Sequence, residues 1–174
     1  MSKYLIEDYL DDLAHQAATS PYNSFEDPTP KQLKSGIYRK GHVRYKGLSI
    51  SIENPKDSFR SGVDENGNAW KTRIKNHYGY ILGTVGKDKD HVDVFIGDDR
   101  ESDNVYIVNQ LSQDGKFDEH KVLLGFDTFE GAVKGYFSNY DKTWDWVGSI
   151  HRTDIKTFKN WLKSGNTRVP YRGI

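Results

Sequence analysis

Between His42 and Leu124, short runs of alternating apolar and polar residues follow one another, separated by glycine, asparagine and proline, and helical periodicity appears only beyond them. That order constrains the fold more than any other feature of the chain. His42 to Tyr45 and Leu48 to Glu53 flank Lys46-Gly47 as the two strands of a hairpin, which Asn54-Pro55 ends. The turn Asp64-Glu65-Asn66-Gly67-Asn68 leads into a strand at Ala69 to Ile74, and more strands are predicted at His91 to Ile96, Val105 to Asn109 and Glu119 to Leu124. Helical patterns follow near Thr128 to Tyr140 and near Thr153 to Lys163. The second carries Phe158, Trp161 and Leu162 as an apolar stripe and is closed by Ser164-Gly165. Strands first and helices late read as α+β, with antiparallel strands that can close into a small barrel.

At 174 residues the chain is expected to form one domain with a short appendage. Tyr4 to Ala17 places Leu5, Tyr9, Leu10, Leu13 and Ala17 at helical spacing, an amphipathic helix that would dock on the body or on a partner. From Thr19 to Ser35, Pro21, Pro28 and Pro30 argue against regular structure, so residues 1–35 read as helix plus arm and 36–174 as the domain proper. Lysine plus arginine (25) equals aspartate plus glutamate (25), so no global field draws the chain to nucleic acid or to a membrane surface. With no cysteine there is no disulfide and no thiolate ligand, and any metal must be held by oxygen or imidazole. The N-terminal residues do not read as a secretory leader and no run of 18 apolar residues occurs, which makes the cytoplasm the expected compartment.

The chemistry concentrates in Gly86-Lys87-Asp88-Lys89-Asp90-His91-Val92-Asp93-Val94-Phe95-Ile96. Asp88, Asp90 and Asp93 fall where a turn meets an apolar strand, and a loop can converge them on a hard cation such as magnesium, which takes few carboxylates and keeps several waters. By spacing alone a solvated acidic turn is the better reading. The twelve-residue calcium loop does not, because its glycine and distal glutamate are missing. Asp93 is the most informative of the three: inside Val92-Asp93-Val94-Phe95-Ile96 a carboxylate must face solvent or meet a cation. In Asp118-Glu119-His120-Lys121, strand alternation puts Glu119 and Lys121 on one face and Asp118 and His120 on the other. This is an acid-and-base pair suited to metal plus phosphate, or an ordinary surface ion pair.

Tyr78-Gly79-Tyr80-Ile81 followed by Asp-x-Asp-x-x-Asp-Val resembles the central signature of the soluble (family I type) inorganic pyrophosphatases. The resemblance spans roughly residues 48 to 145 and implies a five-stranded closed barrel with flanking helices. It also implies hydrolysis of pyrophosphate by a water activated on two or more magnesium ions, with manganese as an alternative. It implies Asp88, Asp93, Glu119 and Glu53 as metal ligands, the last from Ile50-Ser51-Ile52-Glu53-Asn54-Pro55. Asp90 would orient or deprotonate the water, and Arg60, Arg73, Tyr78, Lys121, Tyr140 and Lys142 would hold the phosphates. Three features depart from the pattern: Gly62 stands where an acid is expected, no tyrosine appears shortly before His77, and Asp141 follows Tyr140 where the family has lysine, so that Lys142 would substitute. The combination with Phe117-Asp118-Glu119-His120-Lys121 is also similar to pyrophosphatase-like domains of bacteriophage and mobile-element proteins. That likeness would place the protein in a host cytoplasm or a virion.

Other readings stay open at this level. His91 and His120, each beside an expected ligand, could join a transition-metal site, and Tyr78, Tyr140, Trp144 and Trp146 read as core or rim aromatics as readily as ligands. The barrel could be a non-catalytic phage structural protein that uses its N-terminal helix to bind a phage partner or a second copy of itself. Alternatively, its substrate could be a nucleotide carrying a pyrophosphate bond. An oligonucleotide-binding barrel would need a basic track that zero net charge argues against.

Overall fold

In the computed structural model, which describes residues 10–11, 14, 29–31, 42–87 and 89–173, the strand-rich segment becomes one large sheet. The strands among these residues are β1 (His42–Tyr45), β2 (Leu48–Asn54), β3 (Phe59–Val63), β4 (Ala69–Arg73), β5 (His77–Ile81), β6 (Val92–Ile96), β7 (Asn104–Leu111), β8 (Phe117–Leu124) and β9 (Val147–Asp154). Seven of them form a sheet in the order β1-β2-β5-β6-β8-β7-β9, while β3 pairs with β4 as a separate hairpin. Every neighbouring pair is antiparallel except β6 and β8. Because β8 lies between β6 and its own hairpin partner β7, β6 and β8 run parallel, in a register that sets Asp93 beside Lys121.

The central strands are apolar on both sides, as a sheet covered on both faces requires. Val92, Val94 and Ile96 of β6 join Ile50, Ile52, Ile107 and Val122 on one face, over which helix α2 (Ile155–Ser164) lays Phe158 and the partly buried Trp161 and Leu162. Tyr78, Phe95, Tyr106, Val108 and Leu123 look the other way, toward Ala132 and Tyr136 of helix α1 (Phe129–Ser138). Fully burying a side chain of this size contributes roughly 1.5–3 kcal/mol, against about 0–1 kcal/mol for an exposed ion pair, so these two layers carry the fold. Each helix starts on a side-chain cap: Thr128 Oγ1 accepts from Gly131 N–H at 3.0 Å, and Asp154 Oδ1 from Thr157 N–H at 2.8 Å.

The closed five-stranded barrel is not formed. Closure would need the two edge strands to pair, but among the described residues β1 pairs only with β2, and β9 lies along the outer edge of β7, taking up the backbone groups that closure would use. The predicted hairpin of β1 and β2, the strands β4, β6, β7 and β8, and both helices are present. Strands β3, β5 and β9 are additional to those the sequence pattern predicts. Gly79 interrupts the side-chain pattern of β5, and β3 and β9 are too polar to show an apolar alternation.

Gly79 is a packing requirement. A Cβ there would lie 1.9 Å from the Ser51 carbonyl oxygen, so only glycine lets β5 approach β2 at this point. The ladder slips at the same place: Ile52 pairs with Gly79 and Asn54 with Tyr78, which leaves Glu53 as the extra residue of a bulge. Bulges re-aim side chains, and this one carries an acid expected at the site.

Of the predicted N-terminal helix, Leu10, Asp11 and Ala14 are helical, and the rest of Tyr4 to Ala17 lies outside the described residues. Leu10 and Ala14 are buried in the α2-side core, and Asp11 accepts from His77 Nε2 at 2.6 Å and Arg100 at 2.8 Å. His77 Nδ1 accepts from Lys56 N–H, so Nε2 is the nitrogen that donates to Asp11. These residues therefore dock on the body. Pro30 and Lys31, expected in an irregular arm, are helical, since proline is tolerated in a first turn, where its missing N–H would have had no partner. The remainder of 19–35 lies outside the described residues. Among the described residues no helix is long and apolar enough to cross a membrane.

Candidate active site

The α1 side of the sheet carries an ammonium group out of contact with water. Lys121 of β8 is 2% exposed, and its Nζ lies 2.5 Å from Asp93 Oδ2, 2.6 Å from Glu119 Oε1 and 2.9 Å from the Tyr78 hydroxyl. Strand geometry dictates the grouping: Asp93 is the parallel-register partner of Lys121, Glu119 lies two residues earlier on the same face of β8, and Tyr78 comes from β5 across β6. Each carboxylate side chain is 19% exposed. Burial opposes a charge on Lys121, but Tyr78, Asp93, Tyr140 and Glu119 outweigh it and hold the ammonium protonated well above the usual lysine range.

Tyr78 is a junction. Its hydroxyl donates to Asp93 Oδ2 at 2.6 Å and accepts from Lys121 Nζ and, at 3.1 Å, from Arg60 Nη2. That exhausts a phenol's one donor and two acceptor sites. Burial first, with Asp93 beside it, raises its pKa, so the phenol stays neutral and keeps its proton in the hydrogen bond it donates to Asp93. Arg60 reaches this junction from β3. Burial would lower its pKa, but Tyr78, Tyr140, Asp93 and Glu53 together raise it.

Behind Glu119 lies a chain of hydrogen-bonded side chains that begins at Gln110, a residue with no expected role. Gln110 of β7 donates through Nε2 to Glu119 Oε1 at 3.1 Å and accepts at Oε1 from Tyr136 (2.6 Å) and Tyr140 (3.1 Å). Trp144 Nε1–H donates to the Tyr136 hydroxyl at 3.0 Å and its indole stacks on Tyr140 at 4.6 Å. Burial raises the Tyr140 phenol to about 12. A signal was present in the sequence: Asn109-Gln110 interrupts an otherwise apolar strand, and a buried amide there must be hydrogen-bonded.

The remaining expected residues scatter. Asp88 lies outside the described residues. Asp90 is exposed in the loop before β6, where its carbonyl accepts from Gly86 N–H. Arg73 lies on the hairpin face opposite Arg60, because Arg60 pairs with Thr72, and turns to Asp57 at 3.8 Å. Lys142 is exposed in the turn after α1, and Asp141 beside it holds Thr143 through backbone and side-chain bonds. His91 stacks on Tyr80 at 4.6 Å and makes a 2.9 Å hydrogen bond to the Thr84 carbonyl through Nδ1.

His120 points away from the cluster, as alternation predicts, and is buried between Phe117 (4.7 Å) and Trp161 (4.9 Å). Burial lowers its pKa to about 4, against an opposing pull from the Val169 backbone. The unfolded state therefore takes up a proton before the folded state does, so the contribution of this group to stability is constant above about pH 6.5 and falls as pH drops toward 4. Wild type should lose about 2 kcal/mol from this group between pH 7 and pH 5, and His120→Phe should lose correspondingly less over the same interval. Urea unfolding at the two pH values checks this. Equal losses in the two proteins would contradict it.

Among the described residues no three His, Asp or Glu side chains form a ready metal cage. The donors present nevertheless suit a hard cation. They are carboxylate oxygens, two of which already converge on a positive group, and Asp93 uses Oδ2 for both of its bonds, so that among the described residues Oδ1 carries none.

A family model described as inorganic pyrophosphatase matches residues 30–163, and the chain belongs to that family. Two solved structures are similar. One is an inorganic phosphatase from Anaplasma phagocytophilum (18% identity, covering 67% of this chain and 88% of that one, TM-score 0.41). The other is an inorganic pyrophosphatase from Coxiella burnetii (12% identity, covering 71% and 94%, TM-score 0.40). Among curated proteins no relative matches.

Proposed function

We propose that the protein hydrolyses inorganic pyrophosphate to two phosphates with a divalent cation, magnesium or manganese, at the Asp93–Lys121–Glu119 cluster. The observation that carries this reading is the buried Lys121 ammonium held between two carboxylates in a chain of the inorganic pyrophosphatase family. Asp93 and Glu119, with Glu53 and Asp88, would hold the cation. Bound there, it would offset phosphate charge and lower the pKa of water. Lys121 and Arg60 offer the positive charge that positions a transferring phosphoryl group. Tyr78 keeps Asp93 oriented through its own proton. Gln110 and Tyr140 fix Glu119 from behind, and Asp90 would orient or deprotonate the attacking water. Arg73 and Lys142, turned to Asp57 and exposed respectively, are not assigned to the substrate.

The test is phosphate release from pyrophosphate, and from ATP and ADP in parallel, by chelator-treated protein with and without added magnesium or manganese. Release from pyrophosphate that depends on the added ion is expected. Release only from the nucleotides would move the substrate, and no release with any divalent ion would leave a non-catalytic member of the family.

A further inference from the structure

The β3–β4 hairpin pairs with neither edge of the main sheet, yet it delivers Arg60 to the site. A two-stranded hairpin is marginal by itself, so what holds the guanidinium in place must come from side chains. In the hairpin register Arg60 pairs with Thr72 and Gly62 with Trp70, so Arg60, Gly62, Thr72 and Trp70 share one face. The opposite face carries Phe59 and Val63, which are exposed, with Lys71 over the Phe59 ring at 4.4 Å.

On the inner face the Trp70 indole lies over Gly62. A Cβ on Gly62 would sit 2.6 Å from Trp70 Cζ2, too close for any side chain to coexist with the ring in this position. From there the indole meets Arg60, whose guanidinium carbon is 5.3 Å from the Trp70 ring centroid and 4.3 Å from that of Tyr78. Both distances lie within the range at which a cation is attracted by an aromatic face. Among the described residues Arg60 forms no ion pair with a carboxylate. Aromatic surfaces fix a guanidinium without consuming its N–H donors, whereas a carboxylate partner would compete with the very anion to be bound.

We propose that Trp70 is a positioning residue that holds the Arg60 guanidinium for phosphate, and that Gly62 provides the space its indole occupies. This rests on the pyrophosphate reading of the same site. It also accounts for the glycine at position 62, where the family resemblance calls for an acid: the space serves a ring rather than a carboxylate.

Trp70→Leu, Trp70→Phe, Gly62→Ala, Arg60→Ala and the double variant Arg60→Ala/Trp70→Leu test the proposal, since Trp70 is partly exposed and outside both cores. Trp70→Leu should raise KM for pyrophosphate roughly tenfold with kcat changed less than about threefold, the size of one lost cation–π contact. Trp70→Phe should restore most of the loss, Gly62→Ala should reproduce it, and the double variant should be no worse than Arg60→Ala. In parallel, the Arg60 Nε–H resonance should carry a ring-current shift that Trp70→Leu reduces and Trp70→Phe retains. An unchanged KM in Trp70→Leu, a loss fully additive with Arg60→Ala, or an unchanged resonance would overturn the proposal. If wild type releases no phosphate, imidodiphosphate binding with magnesium replaces KM as the readout. Trp70-dependent binding then supports the positioning role while the hydrolase reading falls, and binding that is absent or indifferent to Trp70 overturns the positioning role too.

Discussion

Replacing Lys121 with methionine is expected to destabilise the protein by about 3–5 kcal/mol, because it strands two partly buried carboxylates without a counter-charge. For a chain of this length that corresponds to a fall in Tm of roughly 10 °C. In wild type the Lys121 pKa is raised, so the contribution of that charge is complete below the ordinary lysine value near 10.5 and is lost only as pH climbs through the folded-state value. The triple variant Lys121→Met, Asp93→Leu, Glu119→Leu should recover much of the stability, because the desolvation cost disappears with the charges. Thermal unfolding of wild type, single and triple variants at neutral and alkaline pH reads all of this. A triple variant as unstable as the single would mean that the cluster is kept for the fold rather than for chemistry.

Asp93→Asn has the opposite profile: a modest effect on the fold and a large one on activity. The amide is isosteric and can still accept from Tyr78 or Lys121, so stability should change by only about 1–2 kcal/mol, the scale of one weakened charge-assisted hydrogen bond. It removes the negative oxygen proposed to face the cation. Losing one preorganised electrostatic group of this kind lowers kcat by about 10²–10³-fold. Calorimetric titration with magnesium should show heat for wild type and much less for the variant.

How much of this was legible in the sequence depends on the element. Strands β6 and β8 were legible because their apolar runs are long, and Asp93 was conspicuous because a carboxylate interrupts Val92-Asp93-Val94-Phe95-Ile96. The pairing of Asp93 with Lys121 was not visible as a contact, since it depends on β8 inserting between β6 and β7, a long-range choice that no local pattern encodes. Arg60 and Arg73 looked equivalent. Only the hairpin register, with Arg60 opposite Thr72 and Phe59 opposite Arg73, sends one to the site and the other to Asp57. The barrel expectation failed at β9, whose Gly148, Ser149, His151 and Arg152 conceal an edge strand that caps the sheet instead of letting it close. Gln110 escaped notice because its role appears only once Tyr136 and Tyr140 arrive from the end of α1.

The most direct measurement is phosphate release from pyrophosphate across a magnesium series by wild type, Asp93→Asn and the exposed control Glu130→Gln, each checked for an intact thermal transition. Wild type and Glu130→Gln should release phosphate with the same saturable dependence on magnesium, and Asp93→Asn should fall by about 10²–10³-fold. Equal rates in wild type and Asp93→Asn would contradict the assignment of catalysis to the Asp93–Lys121–Glu119 cluster.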